Sequence, residues 1–121
     1  MVKALFDSNI LIDHLKGVPD ASSEIVRYDD RAISIVTWIE ILVGASPANE
    51  ASVRAFLGGF VVFDLGQSVA EEAASLRRIH RLKLPDAAIW ATARIDGRLL
   101  VTRNTRDFPA GDPGVRHPYV V

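Results

Sequence analysis

Short, mainly apolar runs alternate with helix-like segments along the whole chain. Strand-like runs occupy Val2 to Phe6, Ala32 to Ile35, Phe60 to Leu65 and Leu99 to Thr102. Each run has strand length and is bounded by Gly, Pro or polar residues. The alternation of strands and helices predicts an α/β fold with a central, mostly parallel sheet and helices on both faces.

Apolar residues between these runs recur at helical spacing. Small apolar residues cover nearly every side of the segment from Leu84 to Ala93, which indicates a helix buried against the sheet. Thr37 and Glu40 match a capping box, with Thr37 as the N-cap. A short edge strand is predicted near Tyr119 to Val121. The remaining predicted helices cover residues 10–15, 20–28, 49–57 and 67–80.

Length and composition restrict the class of protein. The chain has 121 residues, of which 49% are hydrophobic and 24% are charged, and this suits one domain over residues 1–121. The absence of cysteine excludes disulfides, thiolate metal sites and cysteine nucleophiles. No apolar run is long enough to span a bilayer, and the N-terminus lacks a signal-peptide pattern. We therefore expect a cytoplasmic protein without a membrane partner.

Charge is distributed unevenly although the net charge is only −1. Residues 77–106 contain eight Lys or Arg and two acids, and the remainder of the chain is acidic. A positive rim around an acidic centre suits a polyanionic substrate, whereas ordinary solvated helix faces explain the same asymmetry. Charge alone does not decide between these two interpretations.

Four acids stand out by their position: Asp7, Glu40, Asp86 and Asp107. Three of them follow predicted strands, and Asp86 begins the buried helix. Because the carboxyl ends of parallel strands share one edge of a sheet, we expect the four side chains to converge there. Crowded carboxylates repel one another, and Mg²⁺ or Mn²⁺ relieves that repulsion through the oxygen ligands that both ions prefer.

Each acid also has a purely structural interpretation. Asp7 fits a helix cap, Glu40 a capping-box partner, Asp86 a favourable charge at a helix N-terminus, and Asp107 a turn residue. The metal-site hypothesis is favoured by the apolar surroundings of Glu40 and Asp86, where an unpaired buried acid is expensive.

The same residues resemble the PIN-domain ribonucleases, and in particular the VapC-type toxins of toxin–antitoxin pairs. The resemblance is carried by residues 6–13, by Glu40 after a strand, by Pro85 to Ala93 and by Leu100 to Phe108. It implies a PIN-like three-layer fold and an endoribonuclease that depends on Mg²⁺ or Mn²⁺. It also implies an RNA substrate, a cognate antitoxin and a homodimer.

The resemblance further implies roles for individual residues. Asp7, Glu40, Asp86 and Asp107 are the predicted catalytic and metal-binding residues, although either Asn104 or Asp107 can occupy the fourth acidic position. The predicted supporting residues are Ser8, Asn9, Thr102 and Asn104. Arg103 and Arg106 flank the site in sequence and are the predicted RNA contacts, although solvated loop charge explains these two arginines equally well. The three histidines lie outside these motifs and are expected to be packing or surface residues.

Two other functions compete with this prediction. The first is a non-catalytic RNA- or protein-binding module on the same fold. The second is a receiver-like or dehalogenase-like phosphoryl-transfer domain. The sequence argues against the second, because Asp7-Ser8-Asn9 lacks the second acid of an Asp-x-Asp pair.

Overall fold

A computed structural model describes all 121 residues as a five-stranded sheet with six helices. None of the helices has the length and apolar character that crossing a membrane requires. In chain order the elements are β1 Lys3–Phe6, α1 Ser8–Leu15, α2 Pro19–Val26, β2 Asp30–Ser34, α3 Ile35–Val43, α4 Glu50–Leu57, β3 Val61–Phe63, α5 Gln67–His80, α6 Leu84–Ile95, β4 Leu99–Val101 and β5 Val115–Arg116.

All neighbouring strands in the sheet are parallel, and their order is β3-β2-β1-β4-β5. The central strand β1 pairs on both sides, with Leu5 opposite Ala32 of β2 and Leu100 of β4. A parallel sheet needs a crossover between successive strands. Helices supply the crossovers from β1 to β2, from β2 to β3 and from β3 to β4, whereas residues 102–114 join β4 to β5 without a helix. The predicted α/β class with a parallel sheet is confirmed.

Side chains of β1 alternate between two hydrophobic cores, one on each face of the sheet. Leu5 packs into a core that includes Trp90 and Phe108, together with residues of α5 and α6. Ala4 and Phe6 pack into the other core with residues of α1 to α4. This alternation is the period-2 pattern of a strand covered on both faces. The expected three-layer arrangement is therefore present.

The prediction that Thr37 caps a helix is wrong. Helix α3 begins at Ile35, directly after β2, and Ser34 is its N-cap. The Ser34 hydroxyl accepts a hydrogen bond from the Val36 backbone N–H at 3.1 Å. Because a serine already ends β2, no turn is needed between strand and helix. Thr37 consequently lies within the first turn of α3 and is fully buried.

The predicted edge strand near Tyr119 to Val121 is also absent. The fifth strand is Val115–Arg116, which pairs with Leu100 and Val101 of β4. The last residues instead pass close to α1, where the Tyr119 hydroxyl donates a 2.8 Å hydrogen bond to Asp13. The Tyr119 hydroxyl is therefore hydrogen-bonded to a side chain of α1, and its residue is not part of the sheet.

Candidate active site

Two strands and two helices end or begin at one edge of the sheet. Asp7 follows β1, and its backbone N–H donates to the Val101 carbonyl at 2.9 Å, while Thr102 follows β4. Helix α3 starts directly from the end of β2. The first turn of α6 contains Asp86. Ligand sites of parallel α/β sheets lie at this carboxyl edge.

Asp7 is buried, with 5% of its surface exposed, and three donors fix its carboxylate. Oδ1 accepts from the Ser8 backbone N–H at 2.7 Å. Oδ2 accepts from the Thr102 hydroxyl at 2.8 Å and from Asn9 Nδ2 at 3.2 Å. Burial raises the pKa of Asp7 from 3.8 to about 6, against the lowering effect of the Thr102 and Ser8 hydrogen bonds.

Glu40 is exposed, which contradicts the expectation of an apolar environment that favoured a metal role for it. Its Oε1 lies 2.7 Å from Ser8 Oγ, and Ser8 Oγ lies 3.0 Å from Thr37 Oγ1. A carboxylate only accepts, so the single Ser8 proton points to Glu40 and Thr37 donates to Ser8. The carboxylate is therefore held by α1, in place of the predicted capping box.

Asp86 is half-buried, and its environment links the acids electrostatically. Burial raises the pKa of Asp86, and the negative charges of Asp107 and Glu40 raise it further. The charges of Asp86 and Glu40 also contribute to the raised pKa of Asp7. Glu40 and Asp107 therefore lie close enough to Asp86 to disfavour its charged form, and Asp86 and Glu40 do the same to Asp7.

The loop after β4 holds Asp107 through Asn104. Asn104 Oδ1 accepts from the backbone N–H groups of Arg106 and Asp107, at 3.2 and 3.1 Å. Its Nδ2 donates to Asp107 Oδ2 at 2.9 Å. The Asn104 side chain is thus committed to the turn and to Asp107. Its backbone N–H donates to Thr102 Oγ1 at 3.0 Å, which joins the loop to the Asp7 group.

The two predicted RNA-contact arginines differ in their surroundings. Arg103 makes a two-point contact with Asp13, through Nε at 2.7 Å and Nη2 at 3.2 Å. Its backbone N–H donates to Asn9 Oδ1 at 3.2 Å. The Arg106 side chain is 81% exposed, and its Nε lies 3.7 Å from Asp107 Oδ1.

The donor chemistry at this edge fits a hard divalent cation. The four acids supply oxygen ligands only, and none of the three histidines hydrogen-bonds to them. No group of three or more His, Asp or Glu side chains is close enough to bind one ion directly. Mg²⁺ commonly retains several waters and contacts only one or two carboxylates, so this wider spacing suits it.

Asp13, Tyr119 and Thr37 have contacts here that the sequence did not lead us to expect. Asp13 is 4% exposed and bonds to both Arg103 and Tyr119. One feature of the sequence indicates that Asp13 lies near the site: Asn9 and Asp13 are four residues apart and share a face of α1. The buried Thr37 lies one helical turn before Glu40, so both reach Ser8.

Comparison with known proteins places this architecture in a family. The PIN domain model matches residues 4–112. Ribonuclease VapC10 of Mycobacterium tuberculosis is 36% identical over 113 residues, which cover 87% of this chain and 85% of that protein. The tRNA(fMet)-specific endonuclease VapC of Shigella flexneri is 30% identical, over 89% of this chain and 91% of that protein.

Solved structures show the same relationship. A toxin-antitoxin complex from Klebsiella pneumoniae contains a chain that is 44% identical, with a TM-score of 0.93 over 98% of this chain and all of that one. DNA-bound VapBC from Salmonella typhimurium gives 26% identity and a TM-score of 0.80, with 96% of both chains covered. The chain therefore belongs to the PIN-domain family and, within it, to the VapC ribonucleases. The resemblance inferred from the sequence is confirmed.

Proposed function

We propose that this chain is an endoribonuclease dependent on Mg²⁺ or Mn²⁺ and the toxin component of a type II toxin–antitoxin system. The observation that carries the proposal is the buried carboxylate of Asp7, fixed by three donors and electrostatically coupled to Asp86 and Glu40. Its relatives are named ribonucleases and an endonuclease, which supports RNA as the substrate.

Asp7 and Asp86 are the central ligands in this proposal, and Glu40 and Asp107 hold metal-bound waters or a second cation. A bound divalent ion lowers the pKa of a water and stabilises the negative charge that develops on the phosphate during hydrolysis. Ser8 holds the Glu40 carboxylate through one hydrogen bond, and Asn104 holds the Asp107 carboxylate through another. We assign the fourth acidic position to Asp107, because Asn104 Oδ1 already accepts two backbone hydrogen bonds within its turn.

Cleavage of end-labelled structured RNAs tests the proposal. Wild-type protein should cut in Mg²⁺ or Mn²⁺ and should not cut in excess chelator. Asp86→Asn should lower the rate by about 100-fold or more, a loss typical of removing one group that stabilises transition-state charge. Asp29→Asn is the matched control, because Asp29 is exposed and makes no side-chain hydrogen bond or ion pair.

Two results would contradict the proposal. Cleavage that continues unchanged in chelator, or in Asp86→Asn, would exclude the metal mechanism. Saturable RNA binding without cleavage in any divalent ion would favour the non-catalytic binding module. Isothermal titration with Mn²⁺ provides a second readout, since Asp7→Asn should reduce ion binding while circular dichroism shows an unchanged fold.

An apolar groove beside Glu40 is the proposed docking site for the antitoxin. It has a volume of about 490 Å³ and lies between α1, α3 and α4. Ile12 and Leu15 are 37% and 44% exposed at this groove, and Glu40 and Lys16 are the charged residues that line it. The pairing of apolar surface with an acid suits an amphipathic segment that carries a basic side chain.

Co-expression with the product of the adjacent reading frame tests the groove. Leu15→Glu should weaken co-purification of that product and leave RNA cleavage by the isolated protein unchanged. Val26→Glu is the control, because Val26 is 69% exposed outside the groove. Equal loss of co-purification in both variants would assign the effect to general surface charge and reject the groove.

Homodimerisation stays a prediction. Ile39 and Val43 of α3 are 51% and 79% exposed and, being four residues apart, lie on one face of the helix, where they could contact a second copy of the chain. Sedimentation velocity of the purified protein, with and without its antitoxin, measures the oligomeric state directly.

A further inference from the structure

A pocket without acidic or apolar lining lies next to the acidic edge. It has a volume of about 410 Å³ and is lined by Asn9, Arg103, Asn104, Thr105 and Arg106. Asn9 and Asn104 form its boundary with the acids, because they hydrogen-bond to Asp7 and Asp107. Two cationic side chains and three neutral polar ones therefore line a cavity one residue away from the carboxylates.

A buried carboxylate outside the pocket, that of Asp13, fixes the side chain of Arg103. The buried Asp13 carboxylate accepts from Nε and Nη2 of Arg103, and Asp13 Oδ2 also accepts from the Tyr119 hydroxyl at 2.8 Å. Arginine has five N–H donors, and Nη1 makes no hydrogen bond to the protein. The guanidinium is therefore oriented by Asp13 and Tyr119 while part of it still faces the pocket.

The contacts of Asp13 and Tyr119 join parts of the chain that are far apart in sequence. Tyr119 belongs to the C-terminal tail, and Asp13 lies near the end of α1, yet both act on the loop that follows β4. Arg103 also donates its backbone N–H to Asn9. One network thus connects the tail, α1 and the loop that carries Asn104 and Asp107.

We propose that this pocket binds an RNA phosphate that flanks the scissile one, with Arg103 as the principal contact and Asp13 and Tyr119 as its positioning residues. The inference rests on the proposed ribonuclease function. The acids repel the RNA backbone, and a neighbouring cationic pocket supplies an attractive phosphate contact. A guanidinium held in one orientation loses less side-chain entropy on binding than a free arginine does.

Measuring RNA affinity in a protein that does not cleave distinguishes the phosphate contact of Arg103 from the positioning roles of Asp13 and Tyr119. Fluorescence polarisation with a short labelled single-stranded RNA is performed on Asp86→Asn protein in Mg²⁺ over a range of salt concentrations. Adding Arg103→Gln should raise Kd about tenfold or more, since one charge-assisted contact is lost. It should also reduce the slope of log Kd against log salt by about 0.7, the contribution of one phosphate contact in single strands.

Tyr119→Phe distinguishes positioning from direct contact. It keeps the charge of Arg103, so the salt slope should stay unchanged while Kd rises about threefold through the lost hydrogen bond. The chain offers a matched control in Tyr28, whose hydroxyl donates to the buried Glu24 at 2.9 Å. Glu24 is likewise bound at two points by Arg116, which does not line the pocket. Tyr28→Phe should change neither Kd nor slope.

A second variant shows whether a weaker RNA affinity of Arg103→Gln comes from a folding defect. Asp13→Asn with Arg103→Gln removes the buried charge together with its partner, so it avoids an unpaired carboxylate. It should show the same reduced salt slope and a circular dichroism spectrum like that of the parent.

Each remaining outcome decides one part of the inference. A wild-type Kd and slope in both Arg103 variants, or no RNA binding by the parent, overturns the phosphate site. A wild-type Kd in Tyr119→Phe overturns its positioning role. An Arg103-dependent slope in a protein whose wild type never cleaves RNA supports the pocket and rejects the proposed enzymatic function.

Discussion

Replacing Asp7 with asparagine should stabilise the fold at neutral pH. Asp7 is 5% exposed and has a pKa of about 6 in place of 3.8, so its ionised form is disfavoured in the folded state. One pKa unit corresponds to about 1.4 kcal/mol, and the change therefore amounts to about 3 kcal/mol of lost stability above pH 6. Asparagine carries no charge and removes this cost.

The gain is partly offset by hydrogen bonding. Asp7 Oδ2 accepts two bonds, from Thr102 and Asn9, and Oδ1 accepts one from the Ser8 N–H. The best asparagine orientation places its oxygen towards Thr102 and Asn9, which turns its NH₂ group towards the Ser8 N–H. Losing that bond costs about 1 to 2 kcal/mol. We expect Asp7→Asn to gain about 1 to 2 kcal/mol at pH 7.

The sign of the pH dependence provides the decisive measurement. Between pH 4 and 6 the folded state binds more protons at Asp7 than the unfolded state does, so stability falls as pH rises through this window. Urea unfolding of wild type and Asp7→Asn from pH 4 to 8 should show their difference in stability growing up to about pH 6 and levelling off above it. Other carboxylates titrate in both proteins and largely cancel in this difference.

The exposed Asp29→Asn variant again serves as the control and should show no such trend. Added Mg²⁺ should stabilise wild type and not Asp7→Asn, because binding to the folded state adds to its stability. An Asp7→Asn protein less stable than wild type at pH 7, or a difference independent of pH, would refute the reasoning.

Three further predictions concern positioning and stability. Ser8→Ala should lower RNA cleavage about tenfold and the free energy of unfolding by about 1 kcal/mol, because Glu40 loses its hydrogen-bond donor. Cleavage kinetics and urea unfolding measure these two effects. Asn104→Ala should reduce cleavage as much as Asp107→Asn if the amide acts by orienting Asp107, and a double-mutant cycle tests this. Arg98→Ala should cost about 2 kcal/mol in urea unfolding, because its buried guanidinium binds two partly solvated aspartates.

The sequence was sufficient to predict the α/β class and the edge where the acids meet. Apolar runs of strand length alternated with helices, and parallel strands place all their carboxyl ends together. Asp7 and Asp86 could be placed there because each adjoins a strongly patterned element. Helix α5 matched its predicted bounds, residues 67–80, because its apolar spacing is regular over four turns.

Contacts between distant residues could not be predicted in the same way. The hydrogen bond from Tyr119 to Asp13 joins residues 106 positions apart and depends on the path of an irregular tail. The helix boundary at Ile35 was missed because Ser34 and Thr37 are both good N-caps, and only the end of β2 selects between them.

The strongest physical argument for a cation site comes from comparing the three buried acids. Asp13, Glu24 and Asp7 have exposures of 4%, 4% and 5%. Asp13 and Glu24 are each bound at two points by an arginine, and these bonds outweigh burial and lower their pKa values.

Asp7 is held only by neutral donors, and burial raises its pKa although the chain contains 14 Lys and Arg. The same protein thus pairs two buried acids and leaves the third without a protein cation. Leaving a buried carboxylate unpaired is costly, and a bound divalent ion removes that cost. Introducing an arginine that pairs with Asp7 should therefore stabilise the fold and abolish divalent-ion binding together.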